Sequence, residues 1–138
     1  MYISYIREMT DKSTILKAFN TLFFDFLDDI INTVDDNVDI RSAKTAFEVF
    51  RKGNPTIIIK VWNSYIYVPY ADVIQSGNLD FFIDKDYSDD LTVLSNSGDI
   101  MKTIDKIRGP IRNMSEVNKA HSLEYIRKLS MLSAAYNK

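Results

Sequence analysis

The chain contains no cysteine in its 138 residues. This excludes a disulfide scaffold, thiolate catalysis and any cysteine-ligated zinc or iron–sulfur centre, and it fits a reducing compartment. Histidine occurs once, at His121, too few for a histidine-rich metal site. A Ser-His-Asp relay would have to be built around this one imidazole. Placed on a helix beside Lys119 and Glu124, His121 reads as an exposed or half-buried side chain rather than a catalytic one. The four glycines, at 53, 77, 98 and 109, are isolated and fall where helices are expected to end, so no glycine-rich phosphate loop is present. No apolar run is long enough to span a bilayer, and the opening "MYISYIREMTDKS" lacks the apolar centre of a signal peptide. The expectation is a soluble protein that is neither secreted nor inserted in a membrane.

What is present is an ordinary globular composition, with 46% hydrophobic and 26% charged residues. A chain of this length forms one domain, here 1–138, and can remove roughly two thirds of its unfolded surface from water. The net charge is −2 but is unevenly placed. Residues 1–100 carry nine basic and sixteen acidic side chains, whereas 101–138 carry eight and three. Such polarity marks acidic and basic contact surfaces, or two parts of one domain that face each other.

Periodicity predicts helices throughout. In "STILKAFNTLFFDFLDDIINTV" the residues Ile15, Phe19, Leu22, Phe23, Phe26, Ile30 and Val34 recur at steps of three and four, and Asp25, Asp28, Asp29 and Asn32 fall opposite. Phe24, Leu27 and Ile31 widen the stripe, as expected of a central helix with neighbours on two sides. A second helix, "DIRSAKTAFEVFRKG", is expected to be capped by Asp39 and stopped by a left-handed Gly53. In "NPTIIIKVWNSYIYVPY" the triple isoleucine suggests a strand. Asn54–Pro55 as a cap and first-turn proline, with Ile58 or Ile59, Trp62 and Ile66 at helical spacing, argues instead for a helix. Pro69 must break or kink it, and a short continuation is expected to end at Gly77. Beyond lie a short helix in "NLDFFIDKDY", a weak segment "LTVLSNSG", and a helix capped by Asp99 with Ile100, Ile104 and Ile107 inward, ended by Gly109 and Pro110. Ser115 caps a last helix whose stripe is Leu123, Ile126, Leu129, Leu132 and Tyr136. The sum is an all-α fold, a compact single-domain bundle of about six to eight helices with short loops.

Chemical motifs are scarce. Fitting Asp84, Asp86 and Ser88 to the first ligands of a calcium loop puts Asp89 where the sharp-turn glycine belongs and Ser95 where the bidentate glutamate belongs. The acidic turn is therefore read as a solvated loop. Asp28 and Asp29, like Asp35 and Asp36, are sequence neighbours that point apart on a helix or sit at its end. No catalytic, cofactor-binding or metal-ligating residue, and no small-molecule substrate, is assigned. Two groups are candidates for contact. Lys102, Lys106, Arg108, Arg112, Lys119, Arg127 and Lys128 could present a basic face to nucleic acid or to an acidic protein. Tyr65, Tyr67 and Tyr70, crowded with Trp62 around Pro69, could anchor a protein interface. Alternatively the basic residues form a solvated helix side, Trp62 is core, and the tyrosines pack the helix corner with wet hydroxyls.

Taken together, "FNTLFFDFLDDI", "DIRSAK", "GNPTIIIKVWNSYIYVPY", "GNLDFFIDKDYSDDL", "IDKIRGPIRNMS" and "YIRKLSMLS" resemble a group of small proteins of undetermined role from large nucleocytoplasmic DNA viruses of algae and protists. The resemblance runs from about Phe19 to Tyr136, and residues 1–13 read as a variable N-terminal extension. It places Asn54, Pro55, Trp62, Pro69, Tyr70, Phe81, Phe82, Asp86, Tyr87, Arg108 and Pro110 in the family pattern and brings no catalytic residues. With the absence of chemical motifs, the small size and the acidic-to-basic polarity, it leads to the expectation of a virion or host-cytoplasmic (virus-factory) protein, non-enzymatic, acting in self-assembly or with other viral proteins as a minor capsid or internal adaptor component. The alternative is a regulatory factor that binds nucleic acid or host transcription machinery through the basic C-terminal third.

Overall fold

A computed structural model describes residues 11–34, 38–77, 103 and 106–137. Among these residues the protein is all-α, without strands. Five bounded α-helices and one π-helical turn are present among the described residues, and residues 106–112 are also helical.

Helix α1 (Lys12–Thr33) starts where Asp11, itself extended, accepts a hydrogen bond from the Thr14 amide at 2.9 Å. That bond satisfies one of the amides a helix start leaves open. The bonds from the Thr14 amide and hydroxyl hold the Asp11 carboxyl below its usual range, and this exceeds the opposing effect of desolvation. The expected stripe is buried at Ile15, Phe19, Phe23, Phe26 and Ile30, with Phe24 and Leu27 beside it, while Leu22 and Val34 are half-buried at its edge. α1 packs on α5 (Glu116–Tyr136), on α2 (Val38–Gly53) and on α3 (Ile57–Trp62), the central position its broad stripe predicts.

Three local expectations are corrected. Asp39 lies in the first turn of α2 rather than at its cap, where its charge still complements the helix dipole as Arg51 and Lys52 do in the last turn. Gly53 is not left-handed; among the described residues only Gly77 has a positive φ. The Asn54 amide continues the ladder to the Phe50 carbonyl at 2.9 Å. The chain turns one step later, where Asn54 Oδ1 accepts from the Thr56 amide and hydroxyl at 3.1 and 2.8 Å. Gly109 and Pro110 do not end their helix, which runs on to 112. Asp99, Ile100, Ile104, "NLDFFIDKDY", the acidic turn and "LTVLSNSG" lie outside the described residues.

Ile57–Ile59 opens α3 as a helix because Ile58 and Ile59 are fully buried, and burial outweighs the β-branched preference for strands. At Asn63–Tyr67 the helix widens to π, with the Val68 amide bonding back to the Asn63 carbonyl. In a regular helix the Pro69 ring would strike the carbonyl of Tyr65, four residues earlier, and the extra residue in the turn displaces that clash. The backbone leaves helical geometry at Tyr70 (φ −124°, ψ 23°), and α4 (Val68–Ser76) then ends at Gly77 with φ 81°.

The described elements share one core. At its centre the Phe23 ring meets Phe47 edge-on at 4.7 Å, Phe24 at 5.7 Å and Trp62 at 6.1 Å, and stacks with Phe19 at 6.1 Å. Edge-to-face aromatic pairs at these separations contribute about 0.5–1.5 kcal/mol beyond area burial.

Candidate interaction surfaces

The cations of the C-terminal third are divided between the interior contacts of the bundle and its surface. Lys102 lies outside the described residues. On the 106–112 stretch Lys106 and Arg112 are exposed and Arg108 is half-buried, and both arginines interact with other groups of the protein. On α5, Lys119 is 3.8 Å from Glu116 and its side chain is 18% exposed.

Arg127 is held at three points. Its Nε donates to the Ile74 carbonyl at 3.3 Å and Nη2 to the Gln75 carbonyl at 3.1 Å. Its Nη1 donates to Glu124 Oε1 at 3.1 Å. Both carbonyls lie in the last turn of α4, where the Gly77 amide also reaches Ile74 at 3.3 Å, so Arg127 reinforces the end of that helix from a neighbouring one. Lys128 is exposed. At 100° per residue Arg127 sits about 80° and Lys128 about 180° around α5 from Lys119, so the three cations do not share a face.

The outward side of α5 carries Val117 and Met131, 68% and 64% exposed, with Ala120, His121, Glu124 and Lys128 between them. His121, Glu124, Tyr125 and Lys128 line a shallow depression of about 300 Å³ on this side. Tyr125, partly buried against the core, also stacks on Phe26 at 5.0 Å. Burial first, then the charges of Asp29 and Asp25, push its phenol above the usual 10.0. Among the described residues no three His, Cys, Asp or Glu side chains gather as metal ligands, and no helix is long and apolar enough to cross a membrane.

Trp62 is core, 3% exposed. Its indole nitrogen donates to Ser130 Oγ at 3.0 Å, and Ser133 Oγ donates to the Ser130 carbonyl at 2.8 Å and lies 3.4 Å from Asn63 Oδ1. Tyr65, Tyr67 and Tyr70 are half-buried and packed against the core around this network. The buried serines of α5, Ser122, Ser130 and Ser133, escape sequence reading because serine carries no hydrophobic signal. Their spacing beside Ile126 and Leu129 was the available clue. A second buried polar group, Asn20, donates from Nδ2 to the Pro55 carbonyl at 3.1 Å, and its Oδ1 has no partner among the described residues.

No known protein-family model, curated protein or solved structure matches the chain.

Proposed function

We propose that this protein is a non-enzymatic assembly component of a large nucleocytoplasmic DNA virus, a minor capsid or internal adaptor protein that works by helix-face contacts with other viral proteins or with its own copies. The viral part of this reading rests on the sequence resemblance. The mode of action rests on the outward side of α5, where exposed Val117 and Met131 flank the charged Glu124 and Lys128. Exposed apolar side chains mixed with both signs of charge suit a protein partner better than a phosphate backbone, which selects clustered cations.

The alternative, nucleic-acid binding through the basic third, draws on exposed Lys106, Arg112 and Lys128. It is weakened by the internal engagement of Arg127 and Lys119. Quantitative mass spectrometry of density-purified particles beside infected-cell lysate tests the proposal. Stoichiometric recovery in particles after a salt wash is the expected result. Abundance in the lysate with absence from particles would sink the structural role.

A further inference from the structure

We propose that α4 is a latched element, which opens from the bundle as a unit by turning about the corner from Asn63 to Tyr70 and is held shut at its far end by the Arg127 guanidinium. The inference is independent of the assembly role. Three observations carry it, one for each part of the element.

At the near end the backbone is already irregular. The π-helical turn, the missing donor of Pro69 and the non-helical Tyr70 interrupt the helical ladder within eight residues. Hinges are a few positions at element ends that absorb dihedral change, and π-turns inside helices recur at such places. Between the ends, α4 fully buries one side chain, Ile74 at 2% exposure, with Tyr70 and Val73 partly buried against the core, while Val68 is 64% exposed and Pro69, Asp72, Gln75 and Ser76 also face solvent. A helix with so little buried apolar surface belongs to the low-stability end of a fold.

At the far end one side chain supplies the closure. Arg127 donates to the carbonyls of Ile74 and Gln75 while Glu124 holds its third nitrogen. Glutamate thereby pre-orients the fork from the preceding turn of α5. Gly77 leaves room for it, since a Cβ there would lie 3.3 Å from Arg127 Nη2 and 3.6 Å from Leu123 Cδ2. The catch is charge-assisted and replaceable. When α4 lifts, two carbonyls return to water and the guanidinium becomes available to an anionic group.

Native-state hydrogen exchange on the full chain tests this. In the unmodified protein the amides of Val73 to Gly77 are expected to be at least about ten-fold less protected than those of Phe23 and Ile126. Arg127→Ala should lower protection in α4 by a further roughly ten- to hundred-fold, the loss expected for hydrogen bonds to a charged group. Phe23 and Ile126 should keep theirs. Arg127→Lys should fall between, since one ammonium cannot reproduce the fork, and Lys128→Ala should change nothing in α4. Equal protection of α4 and α1 in the unmodified protein would overturn the proposal, whether or not Arg127→Ala folds. So would a uniform loss across all helices in the variant, which would place α4 in the same cooperative unit as the rest.

Discussion

Helix α5 is gripped in two ways along its length. Against α1 it is held by burial: Ile126 and Leu129 lie in the core with Phe23, Phe26 and Leu27, and Tyr125 stacks on Phe26. Against the corner from Trp62 to Gly77 it is held by directed polar contacts, Trp62 to Ser130, Ser133 beside Asn63, and Arg127 to the end of α4. The first grip is tolerant of exact geometry and large in energy. The second is specific and smaller, and it consumes part of the positive charge that the sequence concentrates in this third of the chain. Segment charge is therefore a poor guide to surface charge here.

The largest expected difference between the two grips comes from truncation. Phe23→Ala removes the ring at the centre of the aromatic cluster and should cost about 3–5 kcal/mol of unfolding free energy in a denaturant titration. Val68→Ala at the corner, on an exposed side chain, should stay within about 0.5 kcal/mol. Equal losses would mean that the corner is as deeply integrated as the core.

Ser130→Val sharpens the comparison at the next level. It leaves the buried indole N–H of Trp62 without its acceptor, at a cost of about 1–3 kcal/mol. In a Trp62→Phe background the same substitution should cost clearly less, because no donor is left stranded. Additive losses across that double-mutant cycle would show that the hydrogen bond contributes nothing specific.

How far these contacts were legible beforehand follows from their physics. The α1 stripe and the burial of Trp62 are written in helical spacing, and Pro69 announces its own break. The π widening is not written locally, since it answers a clash between a ring and a carbonyl four residues back. Gly53 looked like a left-handed stop because glycine after a helix usually is one, yet the Asn54–Thr56 turn performs the reversal. Arg127 could not be assigned, because the carbonyls it closes lie 52 and 53 positions earlier. Ser130 and Ser133 were missed for the same reason, their partners being 68 and 70 positions away.

The smallest expected effect lies on the α1 side and depends on pH. The Tyr125 phenol is raised above 10.0 in the folded protein, so the folded state holds that proton more tightly than the unfolded chain. Its contribution is complete below pH 10 and is lost as pH rises through the folded value. Stability measured across that range should decline, and Tyr125→Phe should flatten the decline. Tyrosinate absorbance should lose a late-titrating component in Tyr125→Phe; an unchanged titration would remove the stacked, half-buried Tyr125 from the account.

The central claim is that, among the described residues, Arg127 and Lys119 use their charge within the bundle, which favours a protein partner over a polyanion. The most direct measurement is fluorescence anisotropy of labelled duplex and single-stranded DNA titrated with the full chain at low ionic strength. The account predicts weak binding at most, unchanged by charge reversal of Lys106 and Lys128. Tight binding that falls steeply with added salt and vanishes in that double reversal would contradict it.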